Sequence, residues 1–124
     1  IPSMAWEVEY TDEFEAWWLG LDEEEQIDID AVVGLLEEKG PYLPYPFSSG
    51  LKGAKCGTLR ELRIQHKGKP YRIIYAFDPR RAAILLIGGR KIGGKRWYEK
   101  YVPLAERIYE EHQKSLEDEL GGAL

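Results

Sequence analysis

Cysteine is almost missing. Cys56 is the only one, so no disulfide can form within the chain, and the two histidines, His66 and His112, complete no Cys/His grouping with metal-site spacing. No metal and no cofactor are therefore expected, and such cysteine usage points to a reducing, cytoplasmic setting. Long apolar runs are missing too. None approaches the roughly 20 residues of a membrane helix, and no signal-peptide pattern precedes the first tryptophan, so no membrane partner is expected. Methionine occurs once, at Met4, and Ile1-Pro2-Ser3 ahead of it reads as a cloning remnant. Positive charge is scarce at the front, where residues 1–51 hold one Lys or Arg against 13 Asp or Glu.

The cations are concentrated further on. Residues 52–100 hold 14 Lys or Arg against three acids, and residues 101–124 hold two against six. The net charge of −5 thus conceals a block of +11 between blocks of −12 and −4. A basic block between acidic flanks suits a polyanion-binding face with a solvated back, although acidic helices neutralising a basic sheet would give the same pattern. Four tryptophans and eight tyrosines supply the bulk for one core in 124 residues. Residues 4–112 read as a single domain, followed by an acidic tail, 113–124, expected to fray.

Trp6, Val8 and Tyr10 alternate with Glu7 and Glu9, the pattern of a half-buried strand. Thr11 offers an N-cap to a helix bearing Phe14, Trp17, Trp18 and Leu21 on one face. Asp22 caps a second helix carrying Ile27, Ile29, Val32, Val33, Leu35 and Leu36, with its acids on a solvated face, ended by Gly40-Pro41. Residues 41–58 are rich in Pro, Gly and Ser, and a connection of this length favours a functional or partner-contacting role. Its GLKGAKCGT run lacks the Gly-Lys-Ser/Thr ending of a P-loop, and no base is placed beside Cys56.

Strands are predicted over 59–66 and 71–77, joined by Lys67-Gly68-Lys69-Pro70, with Gln65 opposite Arg72 and Ile64 opposite Ile73. One face then carries Leu62, Ile64, Ile73, Tyr75 and Phe77, and the other Glu61, Arg63, Gln65 and Arg72. A one-residue slip would bury the arginines among apolar side chains, which desolvation forbids. AAILLI, 82–87, reads as a strand buried on both faces, whose parity brings Lys91 to the Arg63/Arg72 face. Gly88-Gly89 and Gly93-Gly94 allow close approach to a ligand or a sharp bend. Trp97, Tyr98 and Tyr101 suggest a helical turn before a last helix starting at Pro103.

Arginine gives phosphate bidentate bonds and keeps its charge, and fixed cations aimed at developing negative charge can carry much of a rate. RNA cleavage through the 2′-hydroxyl therefore fits this set without a metal, with His66, Glu61, Lys91 and Tyr98 as candidate acids and bases. His66 falls on the core side near the hairpin tip, where a surface-loop role is the stronger reading. Lys67, Lys69, Arg80 and Arg81 sit in turns suited to gripping RNA away from the scissile bond.

Glu61-Leu62-Arg63, Tyr71-Arg72-Ile73-Ile74-Tyr75 and the strand ending Gly89-Arg90-Lys91 together resemble the RelE/ParE superfamily of toxins, in particular its phage-derived, HigB-like branch. The resemblance spans Trp6 to about Glu111. It implies an α+β, RelE-like fold in which a small antiparallel sheet packs on an N-terminal helical hairpin, with a C-terminal helix. It also implies a toxin that cleaves mRNA at the ribosome and is neutralised by a cognate helix-turn-helix antitoxin. Carried over by motif, Arg63, Arg72, Lys91 and Tyr98 become catalytic candidates. Arg60, Lys67, Lys69, Arg90, Lys95 and Arg96 become substrate-binding ones. Two other readings stand beside it: a ParE-like inhibitor of DNA gyrase, and a non-catalytic nucleic-acid-binding module.

Overall fold

The computed structural model describes residues 5–51 and 58–122; Ile1-Pro2-Ser3, Cys56 and most of the GLKGAKCGT run lie outside them. Thr11 accepts from Phe14 N at 3.1 Å and starts α1, Asp12–Leu19. Asp22 and Glu25 form a reciprocal capping box at the start of α2, Glu23–Lys39, satisfying two amide donors at that terminus. The strands are β1 (Val8–Tyr10), β2 (Ser48–Gly50), β3 (Arg60–His66), β4 (Lys69–Phe77) and β5 (Ala83–Arg90), and α3 spans Lys95–Gly122. They form one sheet in the order β1-β5-β4-β3-β2, antiparallel except where β1 joins β5 in parallel.

The alternation along the strands decides the layers. Leu62, Ile64, Tyr71, Ile73, Tyr75, Ala83 and Leu85 face α1 and α2, meeting Phe14, Ile29, Val32 and Leu36 in one core. Ile74, Ala76, Ile84 and Leu86 face the other way, onto Trp97, Val102, Ala105, Ile108 and Tyr109 of α3. The two-sided burial expected for 82–87 is the consequence of this three-layer arrangement.

The parity read from the sequence is the observed one, but the register is two residues tighter. Arg63 pairs with Arg72 and Ile64 with Tyr71. The turn is Lys67-Gly68, both at positive φ (51° and 75°), the backbone that two-residue hairpins require. Pro70 belongs to β4, opposite Gln65, and its carbonyl accepts from Lys91 N at 2.8 Å. The last helix departs from expectation at both ends. It begins at Lys95, carries Pro103 in its interior, and remains helical to Gly122 where fraying was expected. Trp97, Tyr101 and Val102 explain the early start, because they extend the apolar stripe of α3 across the sheet.

The glycine pair in β5 serves packing. A Cβ on Gly88 would fall 2.2 Å from Cζ3 of Trp17, and one on Gly89 would fall 3.0 Å from Nε1 of Trp97. Consecutive strand residues face opposite sides, so an indole from each helical layer seats on β5 at adjacent positions.

The β4–β5 turn is organised by Asp78. Its buried carboxylate accepts from Arg80 N, Ala82 N, the Arg80 guanidinium and His112 Nε2 at 2.6–3.2 Å. Burial pushes this carboxyl up, but the bonds from His112, Arg80 and Ala82 more than offset it and hold it below its ordinary value of 3.8. A depressed carboxyl stabilises the fold above its ordinary value, and that contribution is lost as pH falls through the folded one. The stability gap between the parent and Asp78→Asn should therefore narrow as the medium is acidified below about pH 4. Thermal melts of both proteins across that range check it, and a constant gap would mean that the carboxylate charge carries no stability.

Candidate functional site

β3 presents Glu61 and Arg63 on the face opposite α1 and α2, and β4 sets Arg72 directly across from Arg63. The carboxylate Oε1 of Glu61 is the point of convergence. Arg63 Nη1 donates to it at 3.2 Å and the Tyr98 hydroxyl at 3.1 Å, while Arg72 Nε stands 3.7 Å away. Lys91, at the exit of β5, places its ammonium 5.1 Å from the centre of the Tyr98 ring, within the range of a cation–π contact. Residues 61, 63, 72, 91 and 98 thus meet although they come from two strands, the exit of a third and the first turn of α3.

Exposure separates the two arginines. The Arg63 side chain is 30% exposed, whereas those of Arg72 and Glu61 are each 4% exposed. Arg72 Nη1 donates to the Tyr71 carbonyl at 3.0 Å. Among the described residues, neither Arg72 Nε nor Glu61 Oε2 has a hydrogen-bond partner, and both are buried. A buried guanidinium N–H without an acceptor is costly in a folded protein, and it is the kind of donor an anionic oxygen satisfies. Burial pushes the Tyr98 phenol up, its bond to Glu61 adds to this, and Arg72 opposes it. Tyr98 is therefore a protonated O–H donor at neutral pH.

The remaining sequence candidates are distributed over the molecule. Lys95 and Arg96 are exposed in the first turn of α3, after Gly93 and Gly94 at φ 83° and 55°. Lys95 lines one cavity with Glu61 and Tyr98. Arg60 points to the opposite face, where its Nε donates to Ser48 Oγ at 3.2 Å beside the Tyr75 hydroxyl. Lys67 pairs with Glu24 at the start of α2, and Lys69 lies exposed at the hairpin tip. Arg90 sits opposite Tyr71, also on the α2 side. Arg80 is bonded to Asp78 and Glu9, and the Arg81 guanidinium lies 5.6 Å from the Trp6 ring.

His66 is buried rather than on a surface loop, with Nδ1 2.6 Å from Asp28 Oδ2. The Tyr71 hydroxyl donates to Glu25 at 2.6 Å. Glu24, Glu25 and Asp28 keep the solvent contact read from the sequence, and they also clamp the β3–β4 hairpin tip. Reasoning from periodicity had no access to these pairs, since Asp28 and His66 are 38 residues apart. It also passed over Tyr45, whose ring lies 5.3 Å from the Arg63 guanidinium. The one available signal was the aromatic and proline content of PYLPYPF, 41–47.

Residues 16–110 match the family described as "Phage derived protein Gp49-like (DUF891)". Similar curated proteins include "Putative toxin HigB2" of Mycobacterium tuberculosis, 35% identical over 118 residues, covering 94% of this chain and 58% of that protein. "Putative toxin HigB3" of the same organism is 37% identical over 94 residues, covering 75% of this chain and 81% of that protein. The chain thus spans little more than half the length of HigB2. Among solved structures, a double arginine-to-alanine mutant of the E. coli toxin RelE in the free state superposes with a TM-score of 0.55. The match covers 79% of this chain and 96% of that one at 13% identity, a likeness of fold.

Proposed function

Because the chain belongs to the phage-derived Gp49-like family, among HigB-like toxins of RelE fold, we propose that it is the toxin of a type II toxin–antitoxin pair and that it cuts mRNA at the ribosome. The observation that carries the reading is the convergence of Arg63, Arg72 and Tyr98 on Glu61, with Lys91 against the Tyr98 ring. Arg63, the more open guanidinium, receives the scissile phosphate, and Arg72 backs it with an N–H that has no other acceptor among the described residues. Negative charge accumulating on the phosphoryl oxygens is stabilised by these fixed cations, the strongest source of rate enhancement open to a site of this kind.

The same contacts support a pair of proton transfers. The RNA 2′-hydroxyl gives its proton to the Glu61 carboxylate as the 2′-oxygen bonds to phosphorus. The P–O5′ bond breaks and the departing oxygen takes the proton of Tyr98, whose hydroxyl is 3.1 Å from Glu61. The products of that step are a 2′,3′-cyclic phosphate and a free 5′-hydroxyl. The partners in this reading are ribosome-bound mRNA and a helix-turn-helix antitoxin that neutralises the toxin.

Inducing the chain in bacterial cells is expected to arrest growth and to create new mRNA 5′ ends bearing hydroxyls, mapped by end sequencing. Intact mRNA together with a DNA-damage response would replace this reading with that of a gyrase poison. Harmless accumulation of folded protein would leave only a binding module.

A further inference from the structure

Large apolar side chains gather at one exposed place outside the catalytic cluster. Tyr42, Tyr45 and Phe47 are 78%, 70% and 39% exposed within six residues of one another, a density that seeks a function. The segment carrying them is firmly held. Leu43 is buried and its amide donates to the Gly40 carbonyl at 3.2 Å, while the amides of Phe47 and Ser48 both donate to the Pro44 carbonyl at 3.1 Å. Arg63 N then donates to the Phe47 carbonyl at 2.9 Å, tying the segment to the catalytic strand. The Tyr45 ring is thus displayed from anchored backbone, 5.3 Å from the guanidinium of Arg63.

Pro46, Phe47 and Gln65, with Asp28, Val32 and Ile64, line a groove of about 340 Å³ that runs to Arg63 and Arg72. Its walls combine aromatic and apolar faces, an amide able to meet a base edge, the Asp28 carboxylate paired with His66, and the cations assigned above to the phosphate. That combination matches an unpaired nucleotide, which offers a π face and a negative charge on one short unit.

We infer that Tyr45, supported by Phe47, is a base-stacking subsite that holds an unpaired RNA base next to the phosphate gripped by Arg63. This rests on the nuclease reading for the identity of the phosphate site, and it adds a means of holding single-stranded RNA independent of charge. It also explains why the rings remain in water in the free protein. Stacking tolerates every base, so the subsite favours unpaired RNA over duplex without dictating a sequence.

The test measures binding of a fluorescent single-stranded RNA whose 2′-hydroxyls are methylated to prevent cleavage, across a salt series. Tyr45→Ala is expected to weaken binding about tenfold with an unchanged slope of log affinity against log salt. Tyr45→Phe should bind like the parent, and Arg63→Ala should lower the slope by about one. On an otherwise identical oligonucleotide with abasic positions, the parent and Tyr45→Ala should bind alike. Equal affinity of parent and Tyr45→Ala for the intact RNA overturns the inference, as does an equal loss on the abasic strand. If Tyr45→Ala spares RNA but weakens the grip of a helix-turn-helix partner, the surface belongs to protein recognition and the inference falls. Stacking as described without cleavage on ribosomes keeps the subsite and removes the nuclease reading.

Discussion

Arg63→Ala is expected to abolish growth arrest while leaving a folded protein, and Arg72→Ala to abolish it by a different route. The Arg63 side chain is 30% exposed and shares Glu61 with two other groups, so its loss should cost about 1 kcal/mol of stability at most. On the proposed reading, in which Arg63 holds the scissile phosphate, its removal should in contrast lower cleavage by about 10² to 10³-fold. Arg72 is buried to 4% exposure beside an equally buried carboxylate. Truncating it leaves Glu61 with less compensation in a low-dielectric site and should cost about 3 kcal/mol, a large fraction of the stability of a small domain. Denaturant titrations beside cleavage assays separate the two. An Arg63→Ala protein that still cleaves at the parent rate would remove Arg63 from the phosphate site. An Arg72→Ala protein as stable as the parent would show that the Glu61 contact carries no weight in the fold.

Gly88→Ala should be among the most damaging conservative changes in the chain. Its added methyl would lie 2.2 and 2.3 Å from Cζ3 and Cε3 of Trp17 and 2.8 Å from Cδ2. The indole cannot withdraw freely, because it also packs edge-to-face on Phe14, with centroids 5.6 Å apart, in the core against α1 and α2. Overpacking of this kind costs about 3 kcal/mol, read as a lower urea midpoint at an unchanged slope. Trp17→Leu should relieve part of it, so the double variant is expected to lose less than the two single losses combined. Strictly additive losses would show that the clash lies elsewhere.

The parts that follow from periodicity were legible in the sequence. The alternation Leu62/Ile64 and Ile73/Tyr75 fixed which face joins the core, and with it placed Glu61, Arg63 and Arg72 together. Charge desolvation made that parity nearly compulsory, which is why it survived a turn read two residues too long. The turn itself was misjudged because Lys67 adopts positive φ, a conformation its side chain gives no reason to expect, while Pro70 imitated a turn residue. Pro103 misled in the same manner. A proline usually marks the first turn of a helix, but here the stripe of Trp97, Tyr101, Val102 and Ala105 binds the sheet strongly enough to carry the helix through it.

Pairings between distant residues left no local trace. The seats for Trp17 and Trp97, the clamp of His66 on Asp28, and the bond from Tyr98 to Glu61 depend on three-dimensional neighbours. Within the catalytic candidates, the motif groups Arg63 with Arg72 but cannot reveal that one is open and the other sealed. That difference determines which substitution reports on chemistry and which on folding.

The adjacent seats on β5 act as a gauge for strand alignment. If β5 slid by one residue in either direction, a residue with a Cβ, Ile87 or Arg90, would come under one of the two indoles. No other pair of neighbouring positions in the strand lacks both side chains. A slip in one direction is therefore penalised on the α1 side of the sheet and a slip in the other on the α3 side, and the penalty is steric, insensitive to salt or pH. Arg90 and Lys91 follow directly on the gauge, so the position of Lys91 against the Tyr98 ring is set by two tryptophans that take no part in the chemistry.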